Sequence, residues 1–226
     1  MGITKHTFGK SMDGQEVSLY EITNKNQVTL TVSDFGATWV HMLVPDKTGG
    51  RRDVVLGYDS AEGYHTNTNH FGAVIGRNGN RIGKARFAID GKEYQLSVND
   101  NQNNLHSGPD WYRTRMWDVK EINQEKNSVT FELFSPDGDQ GFPGNFTGAI
   151  TYELTDENQV VLHYQGDADT DTIVNMTNHS YFNLAGQEAG AEAMLNHVVQ
   201  IHAPEYTPVC DAEAIPTGEI ASVKGT

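Results

Sequence analysis

Arg86-Phe87-Ala88-Ile89-Asp90-Gly91-Lys92-Glu93-Tyr94-Gln95-Leu96-Ser97 is the stretch that decides the fold class. Asp-Gly between two short runs of strand-forming residues is the strongest hairpin signal in the chain, because the tightest hairpin turns need positive φ at both central positions. The spacing predicts strands over 86–89 and 94–97. The same grammar repeats on either side. Val28, Leu30 and Val32 alternate with Thr29 and Thr31, and Trp39 to Leu43 follows an Asp34-Phe35-Gly36 turn. Met116 to Ile122 pairs naturally with Val129 to Phe134, and Ile150 to Leu154 with Val160 to Tyr164 across Asp156-Glu157-Asn158. No segment sustains a helical apolar stripe, apart from a short turn around Ala189 to Leu195. Closely spaced strands of this kind predict an all-β chain, a large antiparallel β-sandwich forming one domain over residues 1–226.

Composition narrows the functional classes. Thirty acidic residues against 16 basic ones give a net charge of −14, a field that repels phosphate backbones and anionic lipid. Neither a nucleic-acid partner nor a membrane partner is therefore expected. No run of apolar residues reaches the length that spans a bilayer. Cys210 is the only cysteine, which excludes an internal disulfide and suits a reducing, cytoplasmic compartment. No basic cluster lies beside it to make it a nucleophile.

The chemistry-bearing residues fall in three clusters. Asn175-Met176-Thr177-Asn178-His179-Ser180-Tyr181-Phe182-Asn183-Leu184 reads as a strand, on which Thr177, His179, Tyr181 and Asn183 share one face. A hydroxyl, an imidazole, a phenol and an amide suit a polyhydroxylated ligand better than a dry core. Asn78-Gly79-Asn80-Arg81-Ile82 sets an arginine among amides in a glycine-containing turn. Asn103-Asn104-Leu105-His106-Ser107-Gly108 sets a histidine at the start of a long loop. Each also has a plain reading: surface charge, loop support, hydrogen-bonded strand residue. Together they describe a cleft whose guanidinium and amides offer forked donors to vicinal hydroxyls and whose imidazoles move protons near neutral pH. Nine histidines, with His65 and His70 close in sequence, invite a metal, but carboxylates and thiols at ligand spacing are missing and none is expected. Phosphate-cradling loops and nucleophile elbows are missing too.

These residues carry a resemblance. Asn175 to Leu184 resembles the signature of the aldose 1-epimerases, also called galactose mutarotases. Similar blocks follow one another in the family's order: Phe71 to Arg77 leading into Asn80-Arg81-Ile82, Asn104 to Gly108, Asp137 to Gly144, and Ile215 to Ile220. The resemblance implies a β-supersandwich and cofactor-free interconversion of the α and β anomers of aldohexoses such as galactose and glucose. It implies His179 as the general acid on the ring oxygen, His106 as a second active-site histidine, and Asn80 and Arg81 as substrate-binding residues. It also implies a glutamate base and a binding aspartate in a segment C-terminal to anything present here. Glu205, Glu213 and Glu219 do not lie in the base's motif. The expectation is thus a C-terminally incomplete supersandwich, a poor mutarotase by itself, with open sheet edges that favour self-association or pairing with another polypeptide. A non-catalytic carbohydrate-binding module, or one part of a split mutarotase, is the alternative.

Overall fold

The computed structural model describes residues 2–208 and 211–225, so the expectations attached to Cys210 lie outside the described residues. The chain opens with an antiparallel meander of five neighbouring strands: β1 (Gly2–Lys10), β2 (Glu16–Thr23), β3 (Thr29–Ser33), β4 (Trp39–Pro45) and β5 (Arg51–Asp53). A short helix, α1 (Ala61–His65), follows, with the Ser60 side chain accepting the N–H of Gly63 at its start. Short ladders come next: β6 (Val74–Ile75), β7 (Arg81–Ile82), β8 (Arg86–Ile89), β9 (Lys92–Gln95) and β10 (Asn104–Leu105). A second meander of four strands comprises β11 (Asp118–Asn123), β12 (Ser128–Ser135), β13 (Phe146–Leu154) and β14 (Val160–Ala168). The chain ends in β15 (Thr177–Asn178), β16 (Glu205–Tyr206) and β17 (Ala221–Ser222).

The two meanders make the expected sandwich. Tyr20, Ile22, Leu30 and Val32 of the first sheet are buried in one cluster with Val129, Phe131, Ile150 and Tyr152 of the second. These are alternate residues on their strands, so one face of each sheet is committed to the core. Tyr20 meets Phe131 edge-on, with ring centroids 5.6 Å apart. Each large side chain so buried contributes about 1.5–3 kcal/mol. At one end, the Asn24 side chain donates to the Thr155 carbonyl and to Asn158 Oδ1, both at 2.8 Å, tying a hairpin of one sheet to a hairpin of the other.

The 86–97 hairpin forms with φ of 50° at Asp90 and 79° at Gly91, as the Asp-Gly pair requires. Its second strand runs from Lys92 to Gln95 instead of 94–97, because Leu96 turns into a small core with Ala85 and Phe142. The first strand of all carries no sequence signal. Thr4, Lys5, His6 and Thr7 of β1 are exposed, since among the described residues this edge strand pairs with β2 alone.

Arg77 locks the long 135–144 loop. It is fully buried, and its guanidinium donates to the carbonyls of Ser135, Pro136, Pro143 and Gly144 and to the hydroxyls of Ser135 and Thr172. The rings of Phe142 and Phe146 flank it. Two sequence blocks distant along the chain are joined here by one side chain.

Candidate active site

Asn175–Leu184 is not one strand. Only Thr177 and Asn178 form a ladder, antiparallel to β6. The segment changes partner as it runs: Asn175 bridges Asn78 in parallel, His179 N–H donates to Ala73 O, and Phe182 bridges Val55. Such a crossing path bends the chain, so the expected four-residue face is only partly realised. His179 and Tyr181 stay together, with ring centroids 5.3 Å apart. Asn183 instead turns inward and is buried, donating to Gly190 O. Asn178 also points inward, donating to Gly72 O at 2.8 Å and to Tyr152 Oη at 3.1 Å, while Tyr152 donates to Ala37 O. The segment that carries His179 is thereby pinned to the sandwich core.

Gly72 is central to this path. Its φ is +65°, and a Cβ there would stand 1.9 Å from the Trp39 carbonyl oxygen. Its own carbonyl accepts from Trp39 N–H, and its N–H donates to His179 O.

The residues expected from the sequence converge. Pairing of β7 with β10 sets Arg81 opposite Leu105, one residue before His106. Asn80 and His106 then clasp each other: Asn80 N–H donates to His106 Nδ1, and His106 N–H donates to Asn80 O. Arg81 Nε donates to Asp100 Oδ2 at 2.6 Å, and its Nη1 to Asn80 Oδ1 at 3.2 Å. The His106 ring lies 5.2 Å from that of His179, edge to face. A separate cleft of about 610 Å³, lined by Phe146, Tyr164, Thr170, Val174 and Met176 among others, shares no lining residue with these rings. They meet instead on a face where His106 and His179 are half-buried.

His70 completes a triangle that the sequence did not reveal. Its ring is 5.1 Å from His106 and 5.5 Å from His179, and Trp111 lies 5.6 Å away on another side. In the sequence His70 suggested only a metal pair with His65; among the described residues no group of His, Cys, Asp and Glu is arranged to hold a metal ion. His65 is occupied elsewhere, on the Lys10 carbonyl. Backbone strain gathers at the same place. His70, Asn80, His106 and Ser107 all have φ between 55° and 63°, a conformation that costs non-glycine residues about 1–3 kcal/mol each and clusters at functional sites.

Electrostatics assign the protons. Burial, then the neighbouring His179 and Arg81, lower His106 to about 4, with Asp100 opposing. Burial, then Arg113, His106 and His179, lower His70 to about 3. Both rings are neutral at neutral pH. Because His106 Nδ1 accepts a backbone N–H, its single proton sits on Nε2, which is a donor. His179 differs. Neither of its nitrogens has a hydrogen-bond partner among the described residues, and neither is sealed from solvent. The pair thus combines a fixed donor with an imidazole whose two nitrogens are unpartnered.

The chain resembles known proteins along almost its whole length. The family model described as aldose 1-epimerase matches residues 18–226. The chain is 40% identical over 227 residues to the galactose mutarotase of Bos taurus, covering all of this chain and 64% of that protein. It is 41% identical over 214 residues to the aldose 1-epimerase of Escherichia coli (strain K12), covering 95% of this chain and 60% of that one. It thus spans a little under two thirds of the length of these relatives. Among solved structures, the galactose 1-epimerase of Lactobacillus acidophilus NCFM superposes with a TM-score of 0.83 at 25% identity, over 99% of this chain and 64% of that one. A GalM/aldose epimerase homologue from C. elegans gives 0.80 at 33% identity, over 91% and 61%.

Proposed function

This chain belongs to the aldose 1-epimerase family, and on that footing we propose that its histidine face binds a free aldohexose and acts on its anomeric centre. The observation that carries the reading is the His106–His179 pair, one ring locked as an Nε2–H donor and the other with both nitrogens free. Ring opening needs a proton delivered to the ring oxygen while the anomeric hydroxyl loses one. His179 is the proton donor to the ring oxygen, a role worth about 10²–10⁴-fold in rate. His106 Nε2–H, with the protons of Arg81 not engaged by Asp100 and Asn80, holds sugar oxygens. After ring opening, rotation about C1–C2 and closure give the other anomer. No cofactor enters the scheme.

The proton acceptor is a different matter. Among the described residues no carboxylate belongs to the ring cluster: Asp100 is paired with Arg81, and Glu213 accepts from Gln102 and Asn103. The cluster supplies the acid half of the reaction, so slow mutarotation is expected from these residues alone. That same observation favours a second reading, a sugar-binding module.

Titration with D-galactose and D-glucose, followed by NMR of the histidine rings, tests binding; polarimetry tests turnover. His106 and His179 resonances that ignore both sugars would refute the proposal. His179→Ala separates the two readings, since an enzyme loses rate and a binder mainly affinity.

A further inference from the structure

The Arg81 guanidinium, on which the sugar reading relies, is tethered at one corner. Its Nε donates to Asp100 Oδ2 at 2.6 Å, and each of the two side chains is 24% exposed. Its Nη1 donates to Asn80 Oδ1, while among the described residues nothing accepts from Nη2. An ion pair this open to water adds little to stability, because solvent competes for both charges. What it fixes is direction. With Nε tied, the planar fork turns only as far as Asp100 allows.

Asp100 is itself held in place. It faces Asn103 across the two residues Asn101-Gln102 and exchanges backbone bonds with it: Asp100 N–H to Asn103 O at 3.2 Å, and Asn103 N–H to Asp100 O at 2.8 Å. The Asn103 side chain is buried, its Oδ1 accepting the N–H of Lys84 at 2.9 Å and its Nδ2 donating to Glu213 Oε2 at 2.8 Å. The other oxygen of Glu213 accepts from Gln102 Nε2 at 2.9 Å. One carboxylate, 110 residues beyond Asn103, thus grips both Gln102 and Asn103. Two amide donors meet two oxygens that can only accept, a match that an amide in place of Glu213 cannot make. Glu213 is fixed in turn by Asp211, whose Oδ1 accepts the N–H groups of Glu213 and Ile215, both at 2.9 Å. From the gripped turn the chain passes straight into β10, where Leu105 pairs with Arg81.

We propose that Asp100 is a positioning residue of the sugar site, aiming the Arg81 guanidinium, and that Glu213 is the latch that holds the Asp100 turn against it. The inference rests on the sugar-binding reading above and deepens it by two residues, both of which act through Arg81. Glu213 serves the site as an anchor and takes no part in proton transfer.

The test titrates D-galactose and D-glucose into the full chain and its variants, followed by NMR of the histidine rings and of the Arg81 Nε–H, with thermal melting alongside. Asp100→Ala should weaken sugar binding about tenfold, as the loss of one well-aimed hydrogen bond does, with little change in melting temperature. Asp100→Asn keeps an oxygen for the Nε–H and should recover most of the affinity. Glu213→Gln should weaken binding about threefold and broaden the Arg81 Nε–H signal. Because both residues act through one guanidinium, the double variant Asp100→Ala, Glu213→Gln should bind no worse than Asp100→Ala by itself. Asp100→Ala that binds like the parent, or that loses affinity only together with several degrees of melting temperature, overturns the positioning role and leaves the sugar reading standing. Losses that add in the double variant overturn the latch. A parent that binds neither sugar overturns the sugar reading and the positioning role together.

Discussion

Asn80 and His106 hold each other through a reciprocal pair of bonds, each 2.9 Å long: Asn80 N–H to His106 Nδ1, and His106 N–H to Asn80 O. The ring is therefore oriented by main chain, which side-chain substitutions nearby cannot easily disturb. Its tautomer follows from its address in the fold.

Long-range ¹H–¹⁵N NMR should accordingly find His106 with an unprotonated Nδ1 and a protonated Nε2 at neutral pH. The ring should stay neutral until pH approaches about 4. A proton on Nδ1, or titration near the ordinary histidine value, would contradict the geometry. His106→Ala should weaken sugar binding by roughly fivefold to thirtyfold, the equivalent of about 1–2 kcal/mol for a lost hydrogen bond.

Stability should fall as the solution is acidified from about 6.5 toward about 4. In this window the unfolded chain protonates His70 and His106, while the folded chain keeps both neutral, so the unfolded state binds more protons and gains. The stabilising contribution is complete above the ordinary histidine value and is lost on the way down. Urea midpoints measured across that range should decline, and less steeply in His70→Phe, where one of the two rings no longer titrates.

Gly72→Ala should damage fold and site together. The new methyl overlaps the Trp39 carbonyl, and the φ of +65° is strained for alanine as well. A loss of more than about 2 kcal/mol is expected in denaturant melts. Because Gly72 binds the backbone of His179, the His179 ring resonances should shift even where the protein remains folded.

Arg77→Ala should cost at least about 3 kcal/mol, since it strips donors from the buried carbonyls of Ser135, Pro143 and Gly144 at once. Arg77→Lys should recover only part of this, because an ammonium cannot span the fork of acceptors. Chemical denaturation of both variants provides the check.

The sandwich was legible where residues act locally. Asp90-Gly91 dictates its own turn, and apolar residues alternate with polar ones along β3, β12 and β13 as a strand's period of two requires. β1 was illegible because an exposed edge strand leaves no apolar trace. Asn175–Leu184 reads as a strand from its side chains, yet its hydrogen bonds go to three different partners, which no periodicity encodes. Asn80, Arg81, His106 and His179 were readable through the blocks that carry them. His70 was not, because its place against the rings of His106 and His179 is a property of tertiary neighbours alone.

The crossing path of Asn175–Asn183 also has a kinetic meaning. Its amides are satisfied by residues 77, 73 and 54, about a hundred positions earlier, so the histidine face cannot be assembled from any contiguous stretch of polypeptide. Loops of that size close late and slowly during folding. Any sugar binding by this face, as proposed above, should therefore emerge only after both sheets have docked, which makes ligand-induced signal a sensitive reporter of the last step in maturation.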